Sequence, residues 1–540
     1  MFVRKKITKN NPNAYVQLVE SYRKDGKMHQ KIIKHIGSAS TKDQLEQVSD
    51  LANKIKELYL SGADDKIIEA YRAQEISKIH STKSLFLNCK PIKKISIGMA
   101  DIYGTVFDDM QLNTIIKSRS NYSNILKDLV VGKIACLGSK KKICEQLEQK
   151  FDKHYNLNSI YRTMDKISDE EINIIQNKIC EYNKSLLGGI LKVLFYDATT
   201  IYFESFKDDE LKKLGYSKDL KFSQPQLVFT LLLTDDGLPL AYQLFPGNTY
   251  EGNTLIAAIN FWKKAYPEQK ITLIADSGML NDLNINYLES EGFNYIVCAR
   301  LKSLKKQLKE QILECKEHTN EEFFYNIHMK HRRLIISYRE NRAIKDRHDR
   351  EKTIEKLQNK LKKSSSPSSL INNYGYKKYI TVSNDSDIEL NQEKIIESEK
   401  WDGLHGIITN ITDQSAEEIY GYYRNLWQIE DAFRINKTDL KIRPIFHWTP
   451  NRIKSHIAIS YIAYCCYKAV EFKINSMSDE KLSHRVIREI LEEILVAIYE
   501  DKYNKEKFCM PIPHPFQPKA EKIYKYFGLT LNNEPHRYIV

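Results

Sequence analysis

Three carboxylates stand out by their surroundings. Asp197 lies in Leu191–Phe203 (LKVLFYDATTIYF), an apolar, β-branched and aromatic run that reads as a strand. Side chains alternate along a strand, so Phe195 and Asp197 share one face and Tyr196 takes the other. A mid-strand acid needs a cation, a salt bridge or a turn to offset its desolvation. Asp276 ends a second apolar run, Lys270–Ala275, directly before Ser277-Gly278. Ligands of open α/β sheets bind beyond the carboxyl ends of strands. Taken singly, each aspartate also suits a satisfied polar residue or a helix cap. Glu430 lies in YYRNLWQIEDAFRINKTDLKIRP, which the apolar spacing predicts to be part of one long helix over 415–439. At about 100° per residue, Tyr423 and Lys437, each seven positions from Glu430, share its face, with Trp427 and Arg434 on the flanks. Two strand carboxylates and one helix carboxylate on adjacent elements make a set of hard oxygen donors for divalent cations. Two such ions would activate a water or a 3′-hydroxyl and stabilise the leaving oxygen of a phosphodiester. Arg434 and Lys437 would then meet phosphate oxygens.

The elements that must position these residues follow from the pattern. Tyr15–Val19 and His29–Ile36 flank an Asp25-Gly26 turn and predict a β-hairpin. Residues 41–78 are helical, with Leu45, Val48, Leu51, Ile55 and Leu58 in phase, and helices continue over 95–190. Ser139, before the run Lys140-Lys141-Lys142, suits a helix start, and the run itself suits either phosphate contacts or a solvated face. From about 190 the texture becomes β-β-β-α-β-α-β: Leu191–Phe203, Gln226–Thr234, Leu238–Phe245, a helix at Thr254–Tyr266, Lys270–Ala275, a helix at Leu280–Ser290 and Phe293–Ala299. Residues 301–370 then carry 18 Lys and Arg against 10 Asp and Glu, including a charged helix at Arg342–Lys363 and a Ser364–Ser369 break. Lys377–Val382 and Leu404–Thr409 read as strands and 453–475 as a buried helix, so 301–404 reads as an insertion before the helix that bears Glu430.

Composition bounds the partners. At 540 residues the chain exceeds one core, and 42% hydrophobic with 28% charged residues excludes a disordered chain. The net charge of +13 favours a polyanionic partner. Nine cysteines without a CxxC pair read as reduced thiols, neither a disulfide framework nor a zinc site. The longest apolar stretch, Ile457–Tyr467, falls well short of the roughly 20 residues of a spanning helix. The N-terminus shows no secretory pattern. No GxxxxGK[ST] is present, so no nucleotide cofactor is expected. A cytoplasmic protein without a membrane partner is the expectation.

Several segments together resemble a known family. YVQLVESYRKDGKMHQKIIKHIG, LFYDATTIYFES, GYSKDL, LPLAYQLFPGNTYEGNTL, ADSGM and WQIEDAFRINKTDLKIRPIFHWTPNRIKSHI are similar to DDE transposases of bacterial insertion sequences, family 4 branch, insertion sequence 1634 group, across most of residues 12–475. That family's signature is Tyr, two residues, Arg, three residues, Glu, six residues, Lys. Tyr423, Glu430 and Lys437 match it, and Leu426 stands in place of Arg. The resemblance implies an α/β fold: an RNase H-like catalytic core with a β-containing insertion before the Glu-bearing helix, plus an N-terminal hairpin and a helical region. It implies a hairpin over 1–45, a helical end-binding or dimerisation region over 46–190, a core over 191–300 and 405–475, an insertion over 301–404 and a helical region over 476–540.

Asp197, Asp276 and Glu430 would be the catalytic, metal-binding triad, holding two Mg²⁺ with Mn²⁺ able to substitute. Tyr423, Arg434, Lys437, Trp401, Lys140, Lys141 and Lys142 would contact DNA, with Trp401 either stacking on a flipped base or serving as a core aromatic. The implied partners are double-stranded DNA, as terminal inverted repeats and target, and a second copy of the chain in a homodimer. The bacterial protein would be nucleoid-associated when bound. The implied activity is cut-and-paste transposition. An RNase H-like nuclease that does not join strands, and an inactive DNA-binding relative, stand as alternatives.

Overall fold

The computed structural model describes all residues except 9–10, 40–41, 80–88, 118–120, 190, 205–206, 216–222, 267–270, 280, 318–320, 364–377, 383–387, 503–504 and 539–540. Most of GYSKDL and the expected Ser364–Ser369 break lie outside the described residues. The chain divides into two compact units: Met1–Thr105 with Cys144–His154 and Glu480–Val540, and Val106–Ile143 with Tyr155–Asp479.

In the first unit the expected hairpin is the second and third strands, Asn11–Lys24 and Lys27–Ala39, of an antiparallel sheet. Asp25 and Gly26 turn the chain at positive φ, 51° and 75°. Phe2–Thr8 joins as a third strand, which its charged run Arg4-Lys5-Lys6 hides from a hydrophobic pattern. Val16, Leu18 and Ile36 pack on Val48, Leu51 and Ile55 of the helix Lys42–Leu60. The C-terminal region differs from the helical expectation. Leu495–Asp501, Lys507–Ile512 and His536–Arg537 form a four-stranded antiparallel sheet with Cys89–Ser96. The reason is a period of two: Val496 and Ile498 are buried while Ala497 and Tyr499 are only half-buried. Helices remain at His484–Glu492 and Gln517–Tyr526.

The second unit is built on an eight-stranded mixed sheet, with strands numbered here in chain order: β1 Val193–Tyr202, β2 Gln226–Thr234, β3 Pro239–Pro246, β4 Thr272–Ala275, β5 Asn294–Ala299, β6 Phe323–Met329, β7 Arg332–Tyr338 and β8 Leu404–Thr409. The order across the sheet is β6-β7-β8-β5-β4-β1-β2-β3. Pairing is parallel at β1–β4 and β4–β5, and antiparallel elsewhere. The region expected as an insertion is therefore not sheet-independent. Its β6 and β7 extend the central sheet through β8, because Leu334, Ile335 and Ile336 are buried on both faces of β7.

On one sheet face Leu194, Tyr196 and Ala198 join Val228, Leu232, Trp262 and Leu273 in a closed apolar cluster. The opposite face carries Asp197, level with Leu231, and is covered by the helices Trp427–Arg434 and Pro450–Met477. Phe433 meets Phe229 edge to face at 6.1 Å, and Tyr461 meets Tyr242 at 4.7 Å. At the other end of the sheet Trp401 is 6% exposed, packed with Leu301, Ile312, Leu334 and Leu404. Its indole packs in this core and also borders the cavity beside Cys298 and His405. Trp401→Ala is expected to cost about 3–5 kcal/mol of stability, read as a lower thermal midpoint than wild type; an unchanged midpoint would place the ring outside the core.

Candidate active site

The β1–β4 ladder runs in parallel from Val193–Thr272 to Tyr196–Ala275. Asp197 and Asp276 are the next residue on each strand. Adjacent strands lie about 4.8 Å apart, so the register sets the two carboxylates side by side at the carboxyl end of β4. Phe195 pairs with Ile274, and this parity puts both aspartates on the face away from Tyr196 and Ala275. Asp197 is half-buried, and its Oδ1 accepts from the Ala198 N–H at 2.7 Å. Asp276 is exposed and opens the turn Ser277–Met279, its carbonyl accepting from the Met279 N–H at 3.0 Å. A fourth carboxylate comes here as well: Glu251 Oε2 lies 3.7 Å from where a Cβ on Gly278 would stand. Glu251 carries no signal of its own in the sequence, where it follows the Gly247-Asn248 turn.

The single helix expected over 415–439 is three segments. Ala416–Arg424 ends in a turn at Asn425 and Leu426, Trp427–Arg434 follows, and Ile435–Asp439 is a π-helical turn. The break before Glu430, and the extra residue per turn after it, remove the common face assigned to Tyr423, Glu430 and Lys437. Leu426, 9% exposed, points inward at the break. Ile429, Ala432 and Phe433 anchor the middle helix on the Asp197 side of the sheet, while Glu430 is exposed. The structure thus brings Asp197 and Asp276 together and puts Glu430 on a helix over the same face. Among the described residues no three His, Cys, Asp or Glu side chains stand close enough to hold an ion.

The other candidates scatter around this centre. Arg434 is exposed, its guanidinium on Asp431 Oδ1 at 2.9 and 2.7 Å and on Asp439 Oδ2 at 3.4 Å. Lys437 sits in the π turn. Tyr423 is half-buried against the His405 ring at 5.1 Å. Burial first, then Cys298 and Asp276, push its phenol up, which links it to the Asp276 end of the site. Burial and Arg342 push the His405 imidazole down to about 4. Beside Cys298 and His405 opens a cavity of about 610 Å³ whose wall includes Arg300, Lys302, Arg342 and Trp401. Arg300 Nη2 donates to the Ser277 carbonyl at 3.0 Å, tying this basic wall to the Asp276 turn. Arg300 and Arg342 carry no distinguishing signal within a segment that is basic throughout. Lys140 is buried while Lys141 and Lys142 are exposed, at a helix start where Ser139 Oγ accepts from the Lys142 N–H.

Residues 189–466, just over half of the chain, match the family described as Transposase DDE domain, and residues 3–64 match the N-terminal domain of IS1634 family transposases. No curated protein matches. Among solved structures the chain is similar to piggyBac transposase in a synaptic complex with hairpin DNA, at 8% identity and TM-score 0.37 over 74% of this chain and 79% of that one. It is also similar to Mos1 transposase in a paired-end complex with the left transposon end, at 14% identity and TM-score 0.15 over 45% and 72%. Both likenesses are too loose to place residues. Among the described residues no helix is long and apolar enough to cross a membrane. The aligned span takes in the two adjacent aspartates, the sheet that sets them and the helix over their face, and by it the chain belongs to the DDE transposases, as a DNA transposase of the insertion sequence 1634 group.

Proposed function

We propose that this transposase cuts the ends of its insertion sequence and joins the freed 3′-hydroxyls to target DNA, with Asp197, Asp276 and Glu430 as its acidic triad. The observation that carries the reading is the parallel register placing Asp197 beside Asp276. The order β3-β2-β1-β4-β5, with the first three strands antiparallel, supports an RNase H-like core. The donor chemistry fits hard divalent cations, Mg²⁺ as a pair with Mn²⁺ able to substitute, because all three groups are carboxylates. Bound there, such cations supply Lewis acidity at a phosphodiester.

The chain's own residues do the rest. Asp197 is held in place by the Ala198 N–H, and Asp276 by its turn. Glu430 closes on the pair when DNA is bound, a movement that the turn at Asn425–Leu426 and the π turn allow its short helix. In the first step water attacks phosphorus and the P–O3′ bond breaks, the 3′ oxygen leaving with a proton. In the second the 3′-hydroxyl attacks a target phosphate in the same way, so no covalent protein intermediate is needed. Tyr423, its phenol kept protonated, donates a hydrogen bond to phosphate. Arg434 exchanges Asp431 for a phosphate oxygen, and Lys437, Lys141 and Lys142 add charge. Residues 46–190 bind terminal inverted repeats or contribute to a homodimer, since two ends must be held together.

Two tests follow. With Mg²⁺ and a labelled fragment carrying the element's end, Glu430→Gln and Asp276→Asn are expected to bind as wild type does and to cut roughly a thousandfold more slowly, a loss of several kcal/mol. Equal cutting would remove those residues from the triad, and binding without cutting by wild type would favour the inactive relative. Restoring the signature by Leu426→Arg is expected to lower stability by about 1–3 kcal/mol without faster cutting, because the position is buried; faster cutting at unchanged stability would refute this.

A further inference from the structure

A second basic site lies in the same unit, away from the three carboxylates. A cavity of about 190 Å³ is enclosed by the first turn of the helix Lys140–Phe151, the segment Lys441–His447 and His456. Lys140 is wholly buried there, and among the described residues its Nζ has no hydrogen-bond partner. An ammonium taken out of water without a partner costs several kcal/mol. The charges around it make matters worse. Lys133, also buried, spends its Nζ on the Lys441 carbonyl at 3.1 Å. Burial, and then Lys140, Arg452 and Lys133, push the His447 imidazole down to about 4. The carboxylate opposing that push, Asp165, is already held by Arg452 at 2.7 and 2.8 Å. His456 is buried as well, its Nε2 on the Ile442 carbonyl at 2.9 Å and its Nδ1 without a partner among the described residues. An anion in the cavity would offset this cluster's charge, and a helix N-terminus is where backbone N–H groups favour one.

The place of the cavity indicates which anion. Its loop is tied to the strand that carries Asp197: Ile445 bridges to Phe203 in parallel, and the Arg443 guanidinium lies 5.1 Å from the centre of the Tyr202 ring. Tyr202 lies about 16 Å along β1 from Asp197, within reach of one bound DNA strand. Phe446 and Trp448 stand 60% and 70% exposed beside the cavity and offer apolar faces to sugars or bases.

We infer that this cavity is a built phosphate site, with Lys140 at its floor and Lys441 and Arg443 at its rim, that grips one backbone phosphate of the DNA strand whose scissile bond lies at the carboxylates. The identity of the ligand rests on the transposase reading; the existence of an anion site does not.

The test uses full-length wild type, Lys140→Met and the rim variant Lys441→Gln. Inorganic phosphate is titrated in thermal melts. A fluorescein-labelled duplex carrying the element's end is titrated by anisotropy over a salt series, and cut with Mg²⁺. Phosphate is expected to raise the wild-type midpoint and not that of Lys140→Met. Without phosphate, Lys140→Met should melt no lower than wild type, since it removes a buried charge; a purely structural lysine would give a lower midpoint. DNA affinity of Lys140→Met is expected to fall about tenfold, with the slope of log K against log salt shallower by about 0.9. Lys441→Gln should shift both in the same direction, and carries the test if Lys140→Met does not fold. Unchanged affinity and slope in the variants would overturn the DNA assignment, and protection by phosphate alone would leave a site for the free ion. Weaker binding by the variants of a wild type that does not cut would keep the phosphate site and reject the transposition chemistry. Cutting by wild type with unimpaired variants would do the reverse.

Discussion

The parallel pairing of β1 with β4 is the constraint on which the proposed chemistry of this chain depends. Side chains alternate with a period of two, so a slip of one residue in this ladder would send Asp197 into the closed cluster of Tyr196, Val228 and Leu232. The slip is prevented from both sides. Nearly every residue of β1 and all of β2 are buried, so their faces cannot be exchanged without exposing core or burying charge. Beyond β4, the β4–β5 ladder repeats the parallel register from Thr272–Asn294 to Ala275–Val297. A short strand of four residues thereby delivers one aspartate beside another with little freedom.

How much of this was legible in the sequence depends on the signal each element carries. The strands β1, β2 and β4 announced themselves as apolar runs, and Asp25-Gly26 announced the hairpin turn. Both aspartates were visible for the same reason, as acids set in or at the end of apolar strands. The Glu430 region was harder. Its apolar residues keep helical spacing, so the periodicity ran through a turn at Leu426 and a π turn at Ile435–Asp439, both fixed by packing on the sheet rather than by a local breaker. Pairing between strands distant in the chain was not legible: nothing local says that β7 finds β8, or that the C-terminal strands find Cys89–Ser96. The burial of Lys140 was equally hidden, since Lys140, Lys141 and Lys142 read alike until a tertiary wall covers the first of them.

Charge is distributed in a way that composition alone does not reveal. Many surface cations are answered by carboxylates on their own helix, as in Arg434 with Asp431, Arg485 with Glu489 and Arg488 with Glu492. Such pairs contribute little to stability. The cations that matter for a polyanion are those the protein gathers around a hollow. These are Arg300, Lys302 and Arg342 beside the Asp276 turn, and Lys140 with Lys441 and Arg443 at the far end of β1. One hollow is tied to the carboxyl end of β1 and the other to the Asp276 turn, so both lie near the carboxylates.

As proposed, Asp197, Asp276 and Glu430 close around divalent cations when DNA is bound. The most direct measurement replaces Mg²⁺ with Fe²⁺ in the full-length protein–DNA complex and maps where hydroxyl radicals made by the iron cut the polypeptide. Scission is expected to cluster near residues 197, 276 and 430, to be suppressed by excess Mg²⁺ and to be lost in Asp197→Asn. Scission that spares any of the three segments, or that excess Mg²⁺ leaves unchanged, would contradict it.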